Sequence, residues 1–374
     1  MIARAQHRGG TILVFLFLAS ACTGDEGPQT GAHLVLSPPW TSIPVGDPLL
    51  GDTVQVAFVD EAGVQLPANA VALTSSDTSV ARIDATGLIR AVRVGVVTIR
   101  GTADDDVADQ PIAITDPVLV GTGDIGTCLS TNDEATALLL DSLAGTVFTA
   151  GDNDYSDATP TPAYGVCFDS TWGRHLPRIR PTPGEDDRRN NTLVDYLNYF
   201  GATANPPEGY YSYDLGAWHV VVLNTTPAVD PTQLSWLIAD LAANPALCTV
   251  AIGHRPRFSS GNAGSAATQG AVFQALYDAG VELLVSGNDH DYERFAPQAP
   301  DQTPDPDSGV VQFVVGTGGK SHGGINLPLE LNSVAQNDDT YGVLRLVLHP
   351  TSYDWRFFPV QGRTFTDAGS ADCH

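Results

Sequence analysis

Five short stretches of this chain end apolar runs with side chains that bind cations. They are GTGDIG at Gly121, VFTAGDNDY from Val147 to Tyr155, PTPGEDD at Pro181, AIGHRP at Ala251 and LVSGNDHDYERF at Leu284. The second sits at the centre of the pattern. Its β-branched and aromatic residues Val147, Phe148 and Thr149 read as a buried strand, and Gly151 lets the backbone turn and deliver Asp152 at the strand end. A carboxylate has two oxygens and can be shared by two cations, which an imidazole cannot do. Oxygen and imidazole donors together suit metal ions that polarise a substrate and activate water. Taken singly the stretches are ordinary: Gly-Asp after a strand commonly marks a turn, and His254 before Arg255 and Pro256 reads equally well as a turn residue.

GTGDIG also matches G-x-G-x-x-G between a strand and a helix, so a dinucleotide fold is a rival, with Asp152 as the acidic residue on the ribose. That reading leaves His254 and His290 without a role. All five stretches together resemble the calcineurin-like metallophosphoesterases, especially the purple acid phosphatase branch, whose pattern is D-x-[HG], GD-x-x-Y, GNH[DE], H-x-P and GH-x-H. GYYSYDLG, RPRFSSG, DHDYERFAP and FVVGTGGKSH add to the likeness, in the manner of an exported bacterial branch.

The resemblance implies an α/β domain of two packed β-sheets flanked by helices, with the active site at the strand ends. Its first metal would be held by Asp124, Asp152, Tyr155 and His290, a set suited to iron, zinc or manganese; a ferric ion on the Tyr155 phenolate would be coloured. The second would be held by Asp152, Glu185, His254 and Asn288, where Glu185 replaces the family's amide and Asn288 an imidazole. Such an oxygen-rich set favours manganese, magnesium or calcium over zinc. Asp186 stands where the family has a histidine that contacts phosphate. As a catalytic acid it needs a raised pKa, and ionised it would repel a phosphate dianion; shifting the motif by one residue would instead put Asp186 or Asp187 at the metal. The implied function is hydrolysis of small phosphate esters, monoesters above all, by hydroxide on a dinuclear centre, with Asp186 and His254 as catalytic residues. The alternative is a non-catalytic or mononuclear exported binding or adhesion protein with a degenerate second site. His175 and His219 read as packing or hydrogen-bonding residues, Glu293 and Arg294 as a structural pair beneath the site, and Lys320 in GTGGKS as part of a turn, since Val314 occupies the glycine position of a phosphate loop.

The elements that must position these residues fall in order. Residues 1–22 read as an export signal: Arg4 and Arg8 precede the apolar run Thr11 to Leu18, too short to span a bilayer, and Ala19-Ser20-Ala21 leads into Cys22. This resembles a bacterial lipobox, with Cys22 the lipidated residue and simple secretion the alternative. A linker over 23–32 leads to 33–115, where HLVLS, DTVQVAFVD, SVARID, GLIRAV and GVVTIRGTA alternate as half-buried strands of an all-β sandwich. Ser75 to Gly101 resembles the bacterial group 2 immunoglobulin-like domain, which implies a spacer or adhesive module. The acidic run Ala103 to Gln110 lacks the spaced ligands of a calcium loop and reads as a solvated hairpin. Asp116-Pro117 opens the metallophosphoesterase domain, 116–374. Helices are predicted over Asp133 to Leu143, Pro231 to Ala243 with a capping signature at Asp230 and Gln233, and Thr268 to Ala279. Strands are predicted at Val118 to Val120, His219 to Leu223, Thr249 to Ile252, Leu283 to Ser286, Val310 to Val315, Gly342 to Leu348 and Tyr353 to Val360.

The 374 residues are ample for two domains. With 18 Lys and Arg against 43 Asp and Glu, the net charge of -25 argues against nucleic acid and anionic lipid as partners, leaving a membrane only through Cys22. Beyond Cys22 the cysteines are Cys128, Cys167, Cys248 and Cys373. An exported protein meets oxidising conditions, so these are expected in disulfides, Cys128 with Cys167 and Cys248 with Cys373 being favoured among three possible pairings. The expected location is the cell envelope, as a lipoprotein of the outer membrane or cell surface, or the secreted fraction. Oligomeric state is not specified by these features.

Overall fold

The computed structural model describes residues 31–37, 42–46, 53–155, 163–188, 191–226 and 230–374. The export signal, the lipidation of Cys22 and all but the end of the linker lie outside the described residues. Among the described residues no helix is long and apolar enough to cross a membrane.

The N-terminal strands form two four-stranded sheets. One runs His33–Ser37, Thr53–Val59, Leu88–Ala91, Ala81–Ile83, and the other Ser42–Pro44, Asp106–Thr115, Gly95–Ala103, Ala72–Ser75. Alternate residues such as Leu34 and Leu36, Val97 and Ile99, and Ile112 and Ile114 point inward and make one apolar core. The acidic run is split between elements: Asp104 and Asp105 form the turn, and Asp106 already begins the return strand. Ser42–Pro44, Ala72–Ser75 and Asp106–Thr115 escaped the sequence reading, the first two because they are so short and the last because its acidic start hides the alternation.

Asp116 and Pro117 alone separate this sandwich from the next strand, Val118–Thr122. The C-terminal part holds two larger sheets. The six-stranded sheet runs Ile179–Arg180, Thr146–Thr149, Val118–Thr122, Gly342–Leu348, Ser352–Pro359, Ala368–Asp372. The seven-stranded sheet runs Tyr211–Leu215, Trp218–Val222, Cys248–Ile252, Leu283–Ser286, Val311–Val315, Tyr292–Phe295, Ser333–Asn337. The period-two alternation of strands sorts their side chains into layers. Leu119, Phe148, Val220, Val250, Val285, Phe313 and Leu344 face one another between the sheets. Val118, Val120 and Val147 turn outward onto the helix Asn132–Ser142 and the aromatic group Phe168, Trp172, Tyr196 and Phe200. Val221, Ala251, Leu284 and Val314 turn outward under the helices Pro231–Ala243 and Gly270–Asp278. The result is two packed sheets between two helical layers.

Two local devices, at Gln233 and Arg294, differ from expectation. Asp230 caps its helix through the amides of Thr232 and Gln233, at 2.7 and 2.9 Å. The Gln233 side chain does not complete a capping box; it grips the backbone of Asn224 through two bonds of 2.8 Å, tying the helix to the end of a central strand. Arg294 does not pair with Glu293. Successive strand residues face opposite sides, so Arg294 reaches Asp367 at 2.6 Å while Glu293 accepts from Ser260 and Ser333. His219 lies between Asp214 and Asp240, and His175 bonds the carbonyl of Ala137. Disulfides join Cys128 to Cys167 and Cys248 to Cys373.

Glu282, 2 % exposed, accepts the Thr249 amide at 2.5 Å, and burial raises its pKa to about 7. The native state therefore holds this proton more tightly than the unfolded chain does. The stability linked to it is full below the ordinary value of 4.5 and is lost as pH rises toward about 7. Glu282→Gln should melt above the native protein at pH 8 and match it near pH 4, as read by circular dichroism; equal shifts at both pH values would refute the linkage.

Candidate metal centre

The motif residues converge where the two sheets meet. Asp124 and Asp152 follow adjacent parallel strands of the six-stranded sheet. His254 and Asn288 follow adjacent parallel strands of the seven-stranded sheet. Asp124, Asp152 and Asn288 have positive φ, at 60°, 48° and 71°. Asp and Asn tolerate this left-handed region better than most residues, and its clustering at strand ends is typical of functional turns. Gly151, at φ 83°, lies against the His254 ring so closely that a Cβ would collide with it.

Hydrogen bonds aim each donor inward. His254 is fully buried and bonds the Ala150 carbonyl through Nδ1 at 2.8 Å, turning Nε2 toward Asp152 Oδ2 at 3.4 Å and Glu185 Oε2 at 3.0 Å. His290 repeats the device: Nδ1 meets the Ser321 carbonyl at 2.8 Å, and Nε2 faces the Tyr155 hydroxyl at 3.1 Å and Asp124 Oδ1 at 3.5 Å. Tyr155 donates to Asp124 Oδ1 at 2.6 Å, and the Asn288 amide donates to Asp124 Oδ2 at 2.8 Å. The Asp186 amide donates to Asp152 Oδ1 at 2.8 Å.

Ligand atoms of Asp124, Asp152 and His254 lie within 4.8 Å of one another, close enough to share an ion. His254 Nε2 and Glu185 Oε2 are buried and, despite their proximity, lack a hydrogen-bond partner among the described residues. A buried imidazole nitrogen and carboxylate oxygen left in that state fit a cation. The donor set therefore fits metal binding.

The electrostatics agree. Burial raises Asp124 to about 6 against the pull of both imidazoles. Asp152 is held at about 2, because the His254 charge and the Asp186 amide outweigh its burial. Burial alone would lower His254, but the carboxylates of Asp152, Glu185 and Asp124 raise it well above its ordinary value. A proton is thus drawn to the place a cation would take, and metal binding would release it. Burial and the neighbouring Asp152 charge push Asp186 up to about 7, so it can carry a proton near neutrality.

Asp124, Asp152, Tyr155, Glu185, His254 and His290 meet here through their side chains, and Asp186 and Asn288 reach the group through their backbone amides; Asp187 does not join them. Buried at 1 % exposure, it spends its oxygens on the amides of Asn153 at 3.1 Å and Gly184 at 2.7 Å and on the Tyr164 hydroxyl. It ties the Glu185 loop to the Asp152 turn. The dinucleotide rival also fails, since the helix begins only at Asn132, well past the glycines that should open it. Arg255 escaped the sequence reading, and Lys320 was read there only as part of a turn. Arg255 bonds Glu185 Oε1 through both Nε and Nη2, and Lys320 Nζ lies 4.0 Å over the Tyr155 ring. An anion substituted at Glu185 was itself a signal to look for a nearby cation.

Asp187→Ala should leave buried amides unpaired and lower unfolding free energy by about 1–3 kcal/mol. Urea denaturation checks this, and an unchanged midpoint would refute the anchoring role.

Residues 53–113 match the family model of the bacterial Ig-like domain, group 2. Acid phosphatase A of Cryphonectria parasitica is 29 % identical over 155 residues, covering 35 % of this chain and 30 % of its own length. Purple acid phosphatase 15 of Arabidopsis thaliana is 27 % identical over 236 residues, 53 % of this chain and 44 % of its own. The chain thus spans less than half the length of either curated relative. Among solved structures, purple acid phosphatase PPD1 from yellow lupin (Lupinus luteus) seeds superposes with a TM-score of 0.56 at 13 % identity, covering 92 % of this chain and 74 % of that one. GAP50, the anchor in the inner membrane complex of Plasmodium, gives 0.58 at 13 % identity, covering 70 % and 90 %. The chain therefore joins a group 2 bacterial Ig-like domain to a metallophosphoesterase fold of the purple acid phosphatase kind.

Proposed function

We propose that the C-terminal domain is a metal-dependent phosphoester hydrolase acting on small phosphate monoesters through a dinuclear centre. The observation that carries this reading is the convergence of Asp124, Asp152 and His254 within 4.8 Å, beside the buried His254 Nε2 and Glu185 Oε2, which face each other at 3.0 Å without an aligned hydrogen bond. Asp124, Asp152, Tyr155 and His290 would hold one ion, iron, zinc or manganese; Asp152, Glu185, His254 and Asn288 would hold the other, manganese, magnesium, calcium or zinc. Ions held there would supply charge to neutralise phosphate oxygens and would lower the pKa of a water serving as nucleophile.

The remaining work falls to the chain. The carbonyls of Ala150 and Ser321 fix the two imidazoles in one tautomer and orientation. Tyr155 and the Asn288 amide hold Asp124 from opposite sides. Asp186, docked on Asp152 through its amide and able to carry a proton near neutrality, would give a proton to the leaving oxygen. The Ig-like domain serves as a spacer. Export, with Cys22 lipidated or the chain secreted, is supported by the two disulfides, which persist in oxidising compartments.

Elemental analysis of the purified protein should find two metals per chain, and a chromogenic phosphate monoester should be hydrolysed in a chelator-sensitive way. Asp152→Ala should lose more than the about 10–100-fold typical of outer-sphere partners. Turnover indifferent to both chelation and that substitution would refute the reading.

A second reading is favoured by the changes at Glu185, Asp186 and Asn288: a binding or adhesion protein with one ion or none. The combined variant Glu185→Asn, Asp186→His, Asn288→His separates the two. A gain in turnover marks an eroded enzyme, and a loss marks a site adapted to its own metal or substrate.

A further inference from the structure

Replacing a neutral amide by Glu185 adds a negative charge to a centre that must admit an anion. Asp124 and Asp152 are already there, and Asp186 replaces a group that could have been cationic. Uncompensated, the added charge would oppose a phosphate dianion in a poorly screened site.

The compensation lies in the same cluster. Arg255 directs Nε and Nη2 onto the single oxygen Oε1 of Glu185, leaving Oε2 to face His254 Nε2 at 3.0 Å. Its backbone is fixed by the Thr225 hydroxyl, which accepts from the amides of both His254 and Arg255, at 3.0 and 2.9 Å. About a third of each partner's side chain is exposed, so the pair sits at the rim where an anion would enter. Among the described residues a second guanidinium, Arg188, bonds Thr226 Oγ1 and Asn224 Oδ1, both at 3.1 Å, and interacts with the Glu185 charge from further off. Lys320 lies over Tyr155, on the Asp124 and His290 side of the centre.

We infer that Arg255 is a specificity-determining positioning residue that acts through Glu185. It cancels the carboxylate's charge and pins one oxygen, so that the Glu185–Arg255 unit presents to the centre what a neutral amide would, and a phosphate dianion can bind. The inference rests on the phosphoesterase reading. It accounts for why an anion is tolerated at 185 and why a cation follows His254 directly.

The test is calorimetric binding of inorganic phosphate to the full chain loaded with manganese, with metal content measured on the same samples. Arg255→Gln should keep its metals and weaken phosphate binding by at least about tenfold. Arg255→Lys, which keeps the charge but not the two-nitrogen contact, should bind phosphate more tightly than Arg255→Gln and less tightly than the native protein. The double variant Glu185→Asn, Arg255→Gln should likewise recover to within about threefold, a non-additive result expected only if Arg255 acts through Glu185. Equal losses in the single and double variants would overturn the inference, because Arg255 would then be touching phosphate itself. So would unchanged binding in Arg255→Gln, or loss of metal from it, since the pair would then serve the cation. A native protein that takes up neither manganese nor phosphate would overturn the phosphoesterase reading and this inference together; the variant results bear on the inference alone.

Discussion

Everything at the centre depends on bonds that cross the seam between two sheets. Asp124, at the end of a strand in one sheet, accepts the Asn288 amide from the other, and His254 in the second sheet donates back to Ala150 in the first. Each bond commits one atom of a potential ligand to structure and aims its remaining atom inward. The inter-sheet core built on Phe148, Val250, Val285 and Phe313 keeps the separation of the strand ends fixed. Close-packed interiors of this kind resist small displacements, so packing far from the centre sets its dimensions.

That rigidity sustains local costs. Three donor-bearing residues adopt left-handed backbone conformations, and several carboxylates are buried among one another. Neither is favourable by itself. Asp187 offsets part of the cost by collecting the amides of two loops, and Glu293 does similar work for the loop bearing Ser260. The negative charge left over is the kind that cations or protons must balance.

The sequence reading went furthest where a residue's role depends on its neighbours in the chain. Strand ends carrying Asp, His or Gly could be read locally, and so could the helix capped by Asp230. Roles decided by partners far away could not. Arg294 sits beside Glu293 in sequence, yet its partner Asp367 lies 73 residues on, beside a strand of the other sheet, and is brought there by the packing of the two sheets. Ser333–Asn337 and Ala368–Asp372 lie at sheet edges with little alternation to mark them, so no periodicity flagged them. Asp187 looked as suited to a metal as Asp186 until the direction of its side chain was known. The Glu185–Arg255 pair joins two motifs that had been weighed separately.

The two-residue passage from one domain to the next also has a mechanical meaning. The Pro117 carbonyl accepts the Leu348 amide at 2.9 Å, and the Asp116 carboxylate meets His349 at 2.7 Å. Tension applied through the N-terminal domain would therefore be taken up first at this junction. It would then pass as shear into the ladder between Val118–Thr122 and Gly342–Leu348, where the bonds of four residue pairs share the load. Asp124 lies at the far end of that ladder, so a chain pulled from its N-terminal side would have the geometry of its strand-end donors sheltered from the strain.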